Sequence, residues 1–235
     1  MRFTQDDRLL FAGDSVTDTG RDREDPASLG DGYVRLVAEA LRAGAPADRT
    51  PPTVLNRGVS GNRLRDLEAR WETDVLAPGP SVVTVLIGIN DTWRRYDRGL
   101  PSPVPEFEAA LGRVLALAEE RCAPRLFVMT PFLLPADPGQ ETWFEDLAPR
   151  TEAVLRAAGS RGATVVRTDL ALLRAAAEHG PAALAPDGVH PSPLGHRLIA
   201  EAWLAAAGAA PDTRTGAGAG PGAGPAALAG PVAPA

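Results

Sequence analysis

The chain has 235 residues, a length that suits a single α/β domain with one buried core. Its 24 basic residues, all of them arginine, are outnumbered by 30 acidic residues, and the net charge of -6 disfavours a nucleic acid as the main partner. Hydrophobic residues make up 44% of the sequence, which excludes a chain that is disordered throughout.

Cysteine usage and the first residues bear on the cellular compartment. Cys122 has no second cysteine with which to form an internal disulfide, and no Cys or His spacing is typical of a metal site. Residues 1–8 carry acidic side chains where a signal peptide needs an apolar stretch, and no later apolar run is long enough to span a membrane. We therefore expect a cytoplasmic protein that needs no metal or organic cofactor and does not associate with membranes.

Apolar runs and amphipathic stretches alternate along most of the chain. Five runs rich in Val, Leu and Ile predict strands at Leu9–Ala12, Val54–Leu55, Val82–Ile87, Leu126–Met129 and Thr164–Val166. The stretches between and after them predict helices at Tyr33–Ala43, Leu64–Asp74, Glu106–Arg121, Phe144–Ser160 and Leu194–Ala207. Continuous apolar runs are typical of strands buried on both faces. The alternation therefore predicts a three-layer α/β/α sandwich with a central, mostly parallel five-stranded sheet of the flavodoxin-like type.

The composition changes near residue 211. Residues 211–235 consist mostly of Gly, Ala and Pro with almost no charge, and such a segment buries too little apolar surface to offset its ordering entropy. We expect one folded domain at residues 1–210 and a disordered tail at residues 211–235.

A serine follows the first predicted strand, in the segment Gly13-Asp14-Ser15. Ligands of parallel sheets bind outside the carboxyl ends of the strands, so a serine on a tight turn there presents its hydroxyl to a substrate. The backbone N–H of Ser15 could also help to stabilise an oxyanion. Taken alone, the tripeptide is at least as typical of a helix that Ser15 merely caps.

A histidine near the end of the chain is a candidate base for that serine. Asp187 stands three residues before His190 in a loop, and its carboxylate can accept the Nδ1–H, so that Nε2 is free to take a serine proton. The alternative is a surface loop in which Asp187 caps a turn. His179 and His196 lack a carboxylate at this offset, and we expect them on solvated helix surfaces.

Two further strand ends carry groups that could stabilise an oxyanion. The side-chain amide of Asn90 follows the third strand, and the backbone N–H of Gly61, which no side chain obstructs, follows the second. The alternatives are an Asx turn at Asn90 and a simple turn at Gly61.

Acidic residues cluster after the first motif. Asp18, Asp22, Glu24 and Asp25 could suggest a divalent metal site, but a solvated loop is the better expectation for such a run.

Together the four strand-end segments supply a nucleophile, a base, an orienting carboxylate and oxyanion donors. They resemble the SGNH/GDSL hydrolase superfamily, whose ordered blocks stand here as Gly13-Asp14-Ser15, Gly61, Gly88-Ile89-Asn90-Asp91 and Asp187-Gly188-Val189-His190. The resemblance implies a catalytic triad of Ser15, Asp187 and His190. It also implies an oxyanion hole formed by the backbone N–H groups of Ser15 and Gly61 and the side chain of Asn90.

Longer segments look similar to the intracellular acetylxylan (acetyl-xylooligosaccharide) esterases of this superfamily. They are Leu10–Asp18, Gly30–Val34, Asn56–Asn62, Arg65–Trp71 and Gly88–Arg95. This resemblance implies a homo-oligomeric carboxylic ester hydrolase that removes acetyl groups from xylan fragments. We expect Asp14, Asn62 and Trp93 to line the pocket for this small-molecule substrate, with the Trp93 ring packing on a sugar or, alternatively, in the core.

Two other functions stay open on the same scaffold. One is a thioesterase or lysophospholipase that acts on long acyl chains. The other is a catalytically silent carbohydrate-binding protein, against which the intact motifs argue.

Overall fold

A computed structural model describes residues 3–209, so the predicted tail lies outside the described residues. The five strands are β1 (Arg8–Gly13), β2 (Thr53–Gly58), β3 (Val82–Leu86), β4 (Arg125–Met129) and β5 (Thr164–Val166). The α-helices are α1 (Ser15–Asp18), α2 (Tyr33–Ala43), α3 (Leu64–Ala69), α4 (Ile89–Arg98), α5 (Val104–Cys122), α6 (Phe144–Gly159), α7 (Thr168–His179), α8 (Pro181–Leu184) and α9 (Pro193–Ala206). Two further segments are π-helical and 3-10 helical, at Glu72–Leu76 and Pro138–Trp143 respectively.

All five strands are parallel, in the order β2-β1-β3-β4-β5. Within β1, Leu10 pairs with Leu55 on one side and with Val83 on the other. The strand order changes direction between β1 and β3, and in open α/β sheets such a switch leaves a crevice outside the carboxyl ends of the strands. The topology therefore gathers the ends of β1, β2 and β3 around one crevice.

Helices cover both faces of the sheet. Leu10 of β1 belongs to an apolar cluster that includes Leu111 of α5, whereas its neighbours Leu9 and Phe11 belong to a second cluster that includes Trp203 of α9. This alternation follows from the two-residue period of a strand, which sends successive side chains to opposite faces. The predicted three-layer α/β/α sandwich with a parallel five-stranded sheet is confirmed. Within the part of the chain that is described, no helix has the length and apolar character needed to cross a membrane.

Three helical segments differ from the sequence predictions. The chain turns at Gly88, where φ is +125°, directly into α4, a helix that was not predicted, so Asn90 lies in the first turn of a helix. Helix α7 was not predicted because only two of its residues are buried, which gives a weak apolar pattern. The helix predicted at Leu64–Asp74 ends at Ala69, and a π-helical segment follows.

Candidate active site

A tight turn between β1 and α1 places Ser15 at the crevice. A Cβ atom on Gly13 would lie 2.3 Å from the carbonyl oxygen of Leu86, so a larger residue cannot occupy this position without moving the backbone. Asp14 is the N-cap of α1, and its carboxylate accepts a hydrogen bond of 3.1 Å from the backbone N–H of Val16. Ser15 is therefore the first residue of the helix, and Asp14 performs the capping role that the alternative interpretation gave to Ser15.

Ser15, His190 and Asp187 form a continuous chain of hydrogen bonds. The distance from Ser15 Oγ to His190 Nε2 is 3.0 Å, and that from His190 Nδ1 to Asp187 Oδ2 is 2.6 Å. Because the Asp187 carboxylate can only accept, the Nδ1 atom carries the proton, and Nε2 is left to accept the serine proton. This arrangement can activate the serine hydroxyl as a nucleophile.

The Asp187 carboxylate is held by its own loop. Its Oδ1 atom accepts hydrogen bonds from the backbone N–H groups of Val189, at 2.9 Å, and His190, at 2.7 Å. Burial alone would raise the pKa of Asp187, but the hydrogen bonds from the side chain and backbone of His190 and from Val189 lower it below its ordinary value. Gln140 supports the same loop by donating to the carbonyl oxygen of Asp187 at 2.8 Å. No motif in the sequence pointed to Gln140.

Three residues that line the crevice, Ser15, Gly61 and Asn90, carry N–H groups that could stabilise an oxyanion. The described residues provide no acceptor for the backbone N–H groups of Ser15 and Gly61. Asn90 is 2% exposed, and its amide donates one hydrogen bond of 3.1 Å to the carbonyl oxygen of Asn62, which leaves a second N–H. The arrangement can therefore offer two backbone donors and one side-chain donor to an oxyanion.

Two buried carboxylates fix the loop that carries Gly61. Asp18 Oδ2 accepts hydrogen bonds from the backbone N–H of Ser60, at 2.9 Å, and from its hydroxyl, at 2.7 Å. At the end of the loop, where α3 begins, Asp91 Oδ2 accepts a hydrogen bond of 3.0 Å from the backbone N–H of Leu64. The loop is therefore anchored to α1 on one side and to α4 on the other, and the bonds to the charged Asp18 carboxylate are stronger than neutral ones.

The expectation that Asp18 belongs to a solvated loop is wrong, since the residue is only 5% exposed. Burial alone would raise its pKa, but hydrogen bonds from Arg23 and Ser60 lower it, so the carboxylate stays charged. The described residues contain no group of three or more His, Cys, Asp or Glu side chains that could hold a metal ion. The sequence did not reveal this burial because Ser60, the partner of Asp18, lies 42 residues away in the loop after β2.

A cavity of about 380 Å³ opens beside the serine. Its lining residues are Ser15, Thr19, Ser60, Gly61, Asn90, Trp93, Arg94, His190, Pro191 and His196. The Trp93 ring lies 5.9 Å from the His190 ring and 5.6 Å from that of Trp143, so it borders the cavity and also packs on a neighbour.

Two residues predicted to line the pocket do not line it. Asp14 is 1% exposed, and burial raises its pKa to about 7, so the carboxyl lies beneath the site instead of facing a substrate. The side chain of Asn62 turns to Arg70, whose Nε donates to Asn62 Oδ1 at 2.8 Å. Asn62 contributes to the site only through its backbone carbonyl, which orients the amide of Asn90.

The other two histidines have different surroundings. His179 is exposed at the end of α7, as predicted. The same prediction for His196 is wrong, because this side chain is 4% exposed and lines the cavity. Its Nδ1 accepts a 3.2 Å hydrogen bond from the backbone N–H of Tyr33, and burial lowers its pKa to about 4.

Comparisons with known proteins show which family the chain resembles. Residues 11–198 match the model of the GDSL-like lipase/acylhydrolase family. An acetylxylan esterase from Geobacillus stearothermophilus is 38% identical over 212 residues, which cover 87% of this chain and 95% of that protein.

Solved structures are similar over almost the whole described chain. A substituted form of Axe2, an acetyl xylan esterase from Geobacillus stearothermophilus, superposes with a TM-score of 0.82 at 36% identity, covering 89% of this chain and 98% of the other. LAE5, an α/β hydrolase from the metagenome of Lake Arreo in Spain, gives 0.80 at 33% identity, covering 88% and 97%. The chain therefore belongs to the GDSL-like lipase/acylhydrolase family and is a carboxylic ester hydrolase.

Proposed function

We propose that this protein is a serine esterase that removes acetyl groups from xylooligosaccharides or related sugars. The observation that carries the proposal is the chain of hydrogen bonds from Ser15 through His190 to Asp187, which opens onto the cavity. Solved forms of Axe2 described as catalytic mutants carry alanine in place of a serine, an aspartate or a histidine. The same three residue types form the hydrogen-bonded chain in this protein.

The mechanism begins when Ser15 Oγ attacks the acetyl carbonyl carbon while His190 Nε2 accepts the hydroxyl proton. The carbonyl oxygen becomes an oxyanion, which the backbone N–H groups of Ser15 and Gly61 and the second N–H of Asn90 stabilise. The intermediate then collapses, the bond to the sugar oxygen breaks, and His190 returns the proton to that oxygen. The products of this half-reaction are the deacetylated sugar and acetyl-serine.

Water completes the cycle. It attacks the acetyl-serine carbonyl carbon as His190 Nε2 accepts one of its protons, and the same N–H groups hold the second oxyanion. Collapse releases acetate, and the proton on His190 returns to Ser15 Oγ. Asp187 remains ionised throughout, and it stabilises the imidazolium each time it forms. The proposed sequence of steps uses only these protein groups and water.

The size of the cavity supports a short acyl group over a long acyl chain. A volume of about 380 Å³ suits a small acyl group with a sugar as the leaving group. A thioesterase or lysophospholipase needs an apolar channel for the acyl chain. Trp93 offers the flat apolar surface on which a sugar ring could pack.

The test compares acetate release from acetylated xylooligosaccharides, acetylated pectin fragments, acetylated glucose and p-nitrophenyl acetate, with p-nitrophenyl octanoate as the long-chain ester. We expect the highest kcat/KM on the xylooligosaccharides, and loss of all turnover in Ser15→Ala. Ser160→Ala, at an exposed serine after α6 and outside the cavity, is the control and retains acetate release. An optimum on octanoate would favour the lysophospholipase alternative, and oligosaccharide binding without turnover of any ester would favour the silent binding protein.

Location and assembly are further parts of the proposal. We place the protein in the cytoplasm, which fits the free thiol of Cys122. We also propose a homo-oligomer, because two large apolar side chains, Phe144 and Leu173, are 42% and 60% exposed beside a common surface cavity. Light scattering coupled to size-exclusion chromatography tests the assembly, and a monomeric mass would contradict it.

A further inference from the structure

His196 is a second histidine in the cavity, and the proposed mechanism gives it no role. Its side chain is 4% exposed and lines the cavity together with Ser15 and His190. Buried polar groups in folded proteins are almost always hydrogen-bonded, so each ring nitrogen is expected to have a hydrogen-bond partner.

The Nδ1 atom of His196 completes the N-terminus of α2. It accepts a hydrogen bond of 3.2 Å from the backbone N–H of Tyr33, the first residue of that helix. The N-cap residue, Gly32, has no side chain that could make this bond. Because Nδ1 uses its lone pair as an acceptor, the neutral ring carries its proton on Nε2.

The surroundings keep this imidazole uncharged. Burial lowers the pKa of His196 to about 4, and the nearby His190 lowers it further. The partial positive charge at the N-terminus of α2 acts in the same direction. An uncharged ring at this position also avoids repulsion when His190 becomes an imidazolium during the reaction.

Packing decides which edge of the ring faces the cavity. A Cβ atom placed on Gly32 would lie 3.0 Å from His196 Cε1 and 3.1 Å from Nδ1, so that edge is pressed against the start of α2. The remaining edge is left to line the cavity, and no protein group in the described part of the chain bonds to Nε2. The ring therefore presents an N–H donor in a fixed position.

Other polar side chains of the cavity already have partners. The hydroxyl of Thr19 donates to the carbonyl oxygens of Ser15, at 2.9 Å, and Val16, at 3.2 Å. The hydroxyl of Ser60 donates to Asp18, and Arg94 forms an ion pair with Asp97. Apart from the proposed oxyanion donors, the remaining N–H groups of Arg94 and the indole N–H of Trp93, His196 is thus the side chain of the cavity lining whose donor is free to meet a substrate.

We propose that the Nε2–H of His196 donates a hydrogen bond to a hydroxyl or ring oxygen of the sugar whose acetyl group is removed. The bond selects sugar esters over simple esters, because the leaving group of p-nitrophenyl acetate carries no sugar oxygen. This inference rests on the proposed function and assigns a specificity-determining contact within the same site. A neutral hydrogen bond of this kind corresponds to a five- to tenfold effect, as a rough figure.

Two substitutions separate this contact from the capping of α2. His196→Asn keeps an acceptor near the Nδ1 position but has no donor at the Nε2 position. His196→Gln keeps a donor near Nε2 but loses the acceptor for the Tyr33 N–H. His179→Gln, at an exposed histidine outside the site, serves as the matched control.

We expect His196→Asn to lower kcat/KM on acetylated xylooligosaccharides about five- to tenfold, mainly through KM, and to change kcat/KM on p-nitrophenyl acetate less than about twofold. Its Tm stays near that of the unsubstituted protein. His196→Gln lowers the Tm but keeps the preference for the sugar ester, and His179→Gln changes neither quantity.

Equal losses on both substrates in His196→Asn would overturn the proposal, because a merely structural role predicts that result. Retention of full sugar-ester activity in the same variant would also overturn it. If the unsubstituted protein turns over p-nitrophenyl acetate but no acetylated sugar, the proposed substrate fails, and the inference fails with it. These three outcomes are distinct in the same set of assays.

Discussion

The buried carboxyl of Asp14 links the stability of the fold to pH. Asp14 is 1% exposed and lies directly before Ser15, where it caps α1 by accepting the backbone N–H of Val16. Burial raises its pKa from the ordinary value of 3.8 to about 7, and the nearby carboxylate of Asp91 adds to the rise. The folded protein therefore keeps this proton up to about pH 7, whereas the unfolded chain releases it near pH 3.8.

The sign of the effect follows from proton binding. Between pH 3.8 and about 7 the unfolded state binds fewer protons at Asp14 than the folded state, so the contribution of Asp14 to the free energy of unfolding falls as the pH rises through this window. Over the whole window the difference in pKa corresponds to about 4 kcal/mol. The side chain of Asp14→Asn is neutral at every pH and can still accept a hydrogen bond from the Val16 N–H. The stability of this variant therefore does not lose the contribution that titration of Asp14 removes.

The assay is urea unfolding, followed by circular dichroism at pH 5 and at pH 8. We expect the stability advantage of Asp14→Asn over the unsubstituted protein to grow by about 3 kcal/mol between these two pH values. Asp48→Asn, at an exposed carboxyl outside the site, is the control and shows no such growth. An advantage of Asp14→Asn that is the same at both pH values would refute the reasoning.

Three further substitutions probe the site in the same acetate-release assay. Asn90→Ala removes one proposed oxyanion donor and should lower kcat by about 10²–10³-fold with little change in KM; an unchanged kcat would contradict the donor role. Asp187→Asn no longer holds the proton on His190 Nδ1, so kcat should fall by a factor on the order of 10⁴, and a loss below tenfold would argue against the triad. Asp18→Asn weakens the bonds to Ser60 that anchor the Gly61 loop, and we expect kcat to fall about tenfold while KM stays within about twofold. A change in KM alone would show that this loop serves binding and not the oxyanion.

The parallel sheet and the positions of its motifs could be predicted because they depend on local patterns. Strands buried on both faces give continuous apolar runs, and the residues after them must meet at one edge of the sheet. The edge strand β2 was predicted at Val54–Leu55 but extends over Thr53–Gly58, because its other residues are Thr, Asn, Arg and Gly and do not form an apolar run, although Asn56 is fully buried. The position of Ser15 and the spacing of Asp187 and His190 were visible in the sequence for the same local reason.

The residues that the sequence did not reveal act through contacts between distant segments. His196 is buried because α9 packs against α2, and its partner Tyr33 lies 163 residues earlier in the chain. Gln140 supports Asp187 across 47 residues. Neither side chain stands in a motif, and a buried polar residue on a helix is indistinguishable in sequence from an exposed one. Asp14 shows the opposite case, since it belongs to a motif but lies beneath the cavity.

The central claim is that Ser15 is the nucleophile that His190 activates. The most direct measurement is covalent labelling with a fluorophosphonate, which reacts with activated serines, followed by tryptic digestion and mass spectrometry. Cleavage after arginine places Ser15 in the peptide 9–21 and Ser60 in the peptide 58–63, so the two cavity serines are resolved. We predict a single label on peptide 9–21 that is lost in His190→Ala; a label on peptide 58–63, or labelling of peptide 9–21 that persists without His190, would contradict the account.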